Sequence, residues 1–236
     1  GEEWSITNGI PNGTRTAVTS TNLNDINFTS NATLLATSTT YYYHAYATNG
    51  GGTAYGAQQS FTTVGAPALS ASALTGFGNV CINTTAGPNS FTITGSNLDA
   101  TNITVGALSG FTYSTTAGGT YTATLSLTQP GGAYSQQIFV QFNPTLVQSY
   151  NGNIAVGGGG ATTVNIAASG AGVNSVPTLT TGAASAITTV SATLAGSIPS
   201  NGCSAVTAYG IEYSTTAGFP NGTGTPVAST NLSGIN

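Results

Sequence analysis

Ile138-Phe-Val140-Gln-Phe142 decides the fold class of this 236-residue chain. Ile138, Val140 and Phe142 stand two apart, so on a strand they share one face. The same spacing recurs on both sides. Phe91-Thr-Ile93, Ile103-Thr-Val105 and Leu125-Ser-Leu127 precede it, and Ile154-Ala-Val156 and Val164-Asn-Ile166 follow. Helical periodicity is found nowhere. Gly, Pro and Asn clusters break the runs every eight to twelve residues or so, the spacing of a β-sandwich. Gly157–Gly160 lies between two alternating runs and is predicted to be a hairpin turn.

Two boundaries punctuate the pattern. Val64-Gly-Ala-Pro67 and Gly172-Val-Asn-Ser-Val-Pro177 each end a strand-rich stretch. Pro suits the lead-in to a first strand, where no backbone donor is needed, and it stiffens a short linker. The expected segments are 1–64, 65–174 and 175–236. The outer two are related. Residues 210–236 repeat residues 1–27 with 17 identities at a constant offset of 209 and no gap. An ungapped offset marks a duplicated structural unit. The first segment is expected to lack its opening strands and the third its closing ones. Joining 175–236 to the equivalent of 28–64 gives one complete module. The chain therefore reads as a window onto a longer array with about one unit per 209 residues. A window cut from mid-array would carry no leader peptide, and none is visible.

Composition narrows the function classes. Charged residues are 3% of the chain, with one Arg (Arg15), no Lys, one His (His44) and five acids. Soluble domains average roughly 25%. Binding phosphates takes several Lys or Arg, so nucleic acid is not an expected partner. A polybasic membrane patch is ruled out for the same reason, and no apolar run is long enough to insert into a bilayer. Solubility must come from Thr, Ser, Asn, Gln and Gly, which makes the surface indifferent to salt. Disorder is not expected, because 39% hydrophobic residues in regular alternation can bury a core.

The segments also resemble known families. Ile187-Thr-Thr-Val-Ser-Ala-Thr-Leu-Ala-Gly196, Tyr209-Gly-Ile-Glu-Tyr-Ser-Thr-Thr216 and Leu35 through Asn49 resemble the fibronectin type III module, in the form common in large secreted proteins of Bacteroidota. Leu35–Tyr41 looks like a tyrosine corner with Tyr41 as the corner residue, after which Tyr43, Ala45 and Ala47 point inward. Trp4 and Tyr213 match the family's core aromatic. Glu2 departs from the pattern, since the second copy has Ile211. Phe77-Gly-Asn-Val80, with Phe142-Asn-Pro-Thr145 and Ser149 through Ile154, makes the middle segment similar to an immunoglobulin-like family of the Phe-Gly-Asn-Val type. The resemblance implies an all-β chain of tandem immunoglobulin-like and fibronectin type III-like β-sandwiches in a linear rod. It also implies an extracellular, cell-surface location.

Tyr-Ser-Thr-Thr-Ala-Gly occurs at 113–118 and 213–218, with Trp-Ser-Ile-Thr-Asn-Gly at 4–9. A shared strand-to-turn solution explains it better than a ligand motif.

Chemistry finds little to work with. A Ser-His-Asp site would have to use His44, which alternation places on the outer face between Tyr42 and Tyr46, exposed. Glu2 and Glu3 are adjacent, so on a strand they point to opposite faces and cannot pair across a cleft. There is no Cys/His cluster for zinc and no Asp-rich loop for calcium. No catalytic residue, metal ligand or cofactor is expected. Tyr42, Tyr46 and Tyr55 are candidate surface aromatics for a glycan or surface ligand. Cys81 and Cys203, in different segments, are either one disulfide or two separate thiols. If the resemblance holds, the loop bearing Cys203 faces the preceding module, and the two sulfurs would lock the joint. The expected function is a non-enzymatic structural repeat of a bacterial surface filament or stalk, whose partner is a further copy of itself. An adhesive carbohydrate-binding module and a spacer in a large secreted hydrolase are the alternatives.

Overall fold

Alternation in the sequence becomes burial in the structure. The computed structural model describes residues 1–9, 11–13, 16–18, 20 and 27–229. Arg15, Asp25 and the last part of the repeat, 230–236, lie outside the described residues. The first strands are β1 (Glu2–Ser5), β2 (Thr16–Val18), β3 (Thr40–Asn49), β4 (Gly52–Tyr55) and β5 (Gln59–Thr62). Then come β6 (Ala68–Ala71), β7 (Asn79–Cys81), β8 (Ala86–Leu98), β9 (Ile103–Val105) and β10 (Phe111–Ser114). They are followed by β11 (Leu125–Leu127), β12 (Gly132–Phe142), β13 (Gly152–Gly158), β14 (Ala161–Ala168) and β15 (Ala171–Val173). The last four are β16 (Thr178–Thr181), β17 (Gly196–Ser200), β18 (Gly210–Tyr213) and β19 (Thr225–Ala228). Among the described residues there is no helix, and no ladder pairs a strand of β1–β5, β6–β15 or β16–β19 with one of another group.

The middle group forms a β-sandwich. One antiparallel sheet runs β10-β12-β8-β6 and the other β11-β9-β13-β14. Phe91, Ile93, Ile138, Val140 and Phe142 from the first sheet meet Ile103, Val105, Ile154, Val156 and Ile166 from the second in one core. The outward positions between them are mostly Ser, Thr, Asn and Gln, which water can satisfy. An aromatic group closes one end. Phe111 stacks on Phe142 at 4.9 Å, and Tyr150 meets Phe142 edge-on at 5.3 Å. The Tyr150 hydroxyl accepts the backbone N–H groups of Thr145 and Leu146 at 3.1 and 2.9 Å, tying down the loop before it. Gly157–Gly160 is the predicted hairpin, joining β13 to β14. Gly158, Gly159 and Gly160 have φ of 122°, 63° and 72°, where side chains are strained, and a Cβ on Gly158 would strike the carbonyl of Asn102.

The first group forms a single sheet, β2-β1-β3-β4, with β5 also paired to β3. Its inner face carries Trp4, Tyr41, Tyr43 and Phe61. Trp4 meets Tyr41 edge-on at 5.0 Å, and Tyr41 stacks on Phe61 at 5.7 Å. The Tyr41 hydroxyl accepts the N–H of Ala36 at 2.8 Å, the contact a tyrosine corner makes. Among the described residues no second sheet covers this face, and Phe61 stays 40% exposed. Ala47, expected inside, is exposed, because β3 beyond Tyr46 pairs only with the short β4. The last group holds two separate two-stranded sheets, β16-β17 and β18-β19.

Stability should follow this division. Ile154→Ala removes a fully buried side chain and is expected to cost ~2–5 kcal/mol in denaturant unfolding. Val190→Ala, at 93% exposed, should stay within ~0.5 kcal/mol. Burial pushes the Tyr113 phenol from its ordinary 10.0 up to about 12. Its contribution to stability is therefore complete below pH 10 and lost as pH rises through that interval, because the unfolded chain gives up the proton first. Ultraviolet titration should find a phenol that ionises only near 12, with the sandwich losing stability over the same range.

Candidate functional site

The repeat seen in sequence is a repeated structure. In β1–β2, Glu2 pairs with Val18, Glu3 with Ala17 and Trp4 with Thr16. In β18–β19, Ile211 pairs with Val227, Glu212 with Pro226 and Tyr213 with Thr225. Every pair is shifted by 209, so the register is the same. The turns agree as well. Glu3 Oε2 accepts the N–H of Gly13 at 3.0 Å, and Glu212 Oε2 accepts that of Gly222 at 2.9 Å. Ser5 Oγ accepts the N–H of Thr7, and Ser214 Oγ that of Thr216, both at 3.0 Å. The middle copy of the hexapeptide makes the equivalent contact, Ser114 Oγ to the N–H of Thr116 at 3.3 Å. A hydroxyl that accepts two residues on stops the strand and starts the turn. That is a structural use of the motif.

The two hairpins differ in what lies beside them. β1 sits between β2 and β3, with Trp4 opposite Tyr43 and Glu3 opposite His44. β18 pairs with β19 alone among the described residues. The consequence is exposure. Glu3 and Ser5 are buried, while Glu212 and Ser214 are exposed. Tyr213, the counterpart of Trp4, is 49% exposed. Between β16-β17 and β18-β19 lies an open cleft of about 1020 Å³, lined by Leu179, Leu194, Ile198, Ile211, Tyr213 and Val227 among others. Leu179 is 71% exposed. These side chains have the alternation of a sandwich core, and among the described residues no further sheet lies over them.

The outer face of the first sheet corrects the expectation for His44. The residue does point away from Tyr41 and Tyr43, yet it is buried. Tyr55 from β4 packs over its ring at 5.0 Å, and its Nε2 lies 3.3 Å from Glu3 Oε2, directly across the ladder. The hairpin turn through Gly13 closes over the same carboxylate. Tyr42, Tyr46 and Tyr55 are each half-buried. Tyr55 is spent on covering His44 and on Tyr46, 6.1 Å away. Burial, and after it the charge of Glu3 and the neighbouring Tyr46, raise the Tyr55 phenol above its ordinary value. Sequence alternation gave the direction of His44 correctly, but a loop and a long tyrosine can cover an outer face. Among the described residues no three His, Cys, Asp or Glu side chains are grouped to hold a metal.

Cys81 and Cys203 are joined, with the sulfurs 2.11 Å apart and the Cα atoms 5.3 Å apart. Cys81 lies on β7 itself, which pairs in parallel with β15 so that Val173 stands opposite Cys81. Cys203 lies in the turn after β17. Its N–H donates to the carbonyl of Ser175 at 2.9 Å, and the Ser175 hydroxyl is 3.3 Å from its sulfur. The chain between β15 and β16 is therefore gripped on one side by β7 and on the other by the turn. Gly202 in that turn (φ 72°) has no room for a Cβ, which would run into the Ser175 carbonyl. The joint between β5 and β6 has no covalent lock. There the N–H of Ser38 donates to the Val64 carbonyl at 3.1 Å, and the Asn97 amide reaches the Ala66 carbonyl at 3.5 Å.

No family model matches the chain, and no curated protein matches it in sequence.

Peptide mapping without reduction is expected to yield one linked Cys81–Cys203 species, and separate peptides would contradict the joint. Closing a loop of 122 residues should stabilise by about 4–5 kcal/mol in the chain-entropy account. Cys203→Ser is expected to lower the unfolding midpoint of residues 175–229 far more than that of the middle core.

Proposed function

We propose that the chain is a structural repeat unit of an extracellular bacterial surface filament or stalk, built from fibronectin type III-like and immunoglobulin-like sandwiches. The observation that carries this is the hairpin repeated at an offset of 209, with the same register and turn contacts and opposite states of coverage. A hairpin that recurs at a fixed offset with the same register and turn contacts is what a periodic array supplies. Other features support the reading. Phe77 of the Phe-Gly-Asn-Val run packs on Phe111 and Phe142, as a core position of an immunoglobulin-like sandwich would. The disulfide and Pro-bearing linkers restrain the segments against one another, which suits a rod that bears load. The partner is a further copy of the unit.

The mechanism is mechanical. Repeated sandwiches turn length of chain into reach, and the joint at Ser175 resists bending. With charged residues at 3%, contacts between units depend on apolar area and uncharged hydrogen bonds. Assembly should therefore change little between about 0.01 and 1 M salt.

Electron microscopy of the native material is expected to show threads. Its denatured, reduced mass separates two forms of the array. A mass many times 23.2 kDa means covalent tandem units, and a mass near that value means subunits joined without covalent bonds. Compact single particles at every protein concentration would overturn the reading.

A further inference from the structure

We infer that the open cleft of residues 178–228 is the acceptor for strands β3–β5, residues 40–62, of a second copy of this chain. This rests on the repeat-unit reading above and adds the surface, the occupant and the register.

The chain contains its own template for the docking. β1 has the same hairpin partner, turn contacts and register as β18, and β3 is seated on it. Gly1 and Tyr46 exchange both backbone hydrogen bonds, at 3.0 and 2.8 Å. Antiparallel pairing alternates, so Gly1, Glu3 and Ser5 present their backbone groups to β3. Their counterparts Gly210, Glu212 and Ser214 present the same groups along the edge of β18 that pairs with no strand among the described residues. An edge of this kind accepts a strand of matching pattern. Laid on β18 as β3 lies on β1, the incoming strand sets Tyr43 opposite Tyr213. It also brings Tyr41 and Phe61 over Leu179 and Leu194, supplying the missing layer of the cleft.

Each β3 then has two claimants, its own β1 and the β18 of a neighbour. The ladders are equivalent, so the backbone does not choose between them. Side chains do. Glu2 shares the inner face with Trp4, and a charged residue there belongs to a face left open. Ile211 stands at that position in β18, beside a cleft wall that has no counterpart at β1 among the described residues. Apolar burial therefore favours the second copy.

The test mixes full-length chains carrying Tyr213→Cys with full-length chains carrying Tyr43→Cys under mild oxidation. Trp4 and Tyr43 form a pair without mutual backbone bonds, the closest approach in an antiparallel ladder. The expected product is a non-reducing band at twice 23.2 kDa that is lost when Ser214→Cys replaces Tyr213→Cys. Sedimentation of the wild type should show species larger than one chain, and Tyr213→Asp should weaken that association at least tenfold. Tyr213 is half-exposed in the single chain, so this variant is expected to keep the unfolding midpoint of the middle sandwich. If the wild type assembles but no cross-link forms and Tyr213→Asp assembles equally well, copies join through another surface. The proposal then fails while the filament reading stands. A wild type that stays at 23.2 kDa at all concentrations also overturns the proposal, and the native mass and micrographs then decide the filament reading separately.

Discussion

A strand pair cannot bury its own apolar face, and this constraint organises the whole chain. The middle segment meets it internally, with two sheets closing on one core that includes Ile103, Val140 and Ile154. The outer segments do not. The first offers one sheet with Trp4, Tyr43 and Phe61 half-covered, and the last offers two hairpins around an open cleft. The two defects are complementary, because the sequence beside β18 is the sequence beside β1. In the proposed array a completed module takes strands from both, and the middle sandwich with its joints separates them along the chain.

The joints set how rigidly that separation is kept. At Ser175 the linker is bonded to β7 through the β15 ladder, to the turn through Cys203, and across both by the disulfide. These restraints, two of them through Cys203, leave so short a segment little freedom to bend. At Gly65 the restraints among the described residues are hydrogen bonds from Ser38 and Asn97. A unit with one locked and one hydrogen-bonded joint would flex preferentially at the second.

Much of this was legible in the sequence, for physical reasons. The middle core was read from period-two alternation because both of its layers are present, so every inward residue is also a buried one. The Gly157–Gly160 turn and the duplicated hairpin were equally plain, since glycine and an ungapped repeat leave few alternatives. The burial of His44 is not legible in this way. Alternation fixes which way a side chain leaves the strand, but Tyr55 and the turn through Gly13 decide whether water reaches it. The second aromatic tie, Tyr150 to Thr145 and Leu146, has a sequence signal in the five-residue spacing from Thr145, which matches that of Ala36 and Tyr41. The pairing of Cys81 with Cys203 needed the geometry of the joint, which spacing does not carry. Coverage of β18 could not be read at all from alternation, because its pattern is that of a buried strand whether or not the covering layer is there.

In the assembly β18 is expected to acquire the neighbour that β1 has in the single chain. Amide hydrogen exchange at Glu212 tests this, with Glu3 of the single chain as the reference. In a dilute single chain, Glu3 should be protected and Glu212 should exchange freely. On assembly, Glu212 is expected to slow to the rate that Glu3 shows in the single chain. Assembly that leaves Glu212 exchanging as fast as in the single chain would mean that β18 gains no strand.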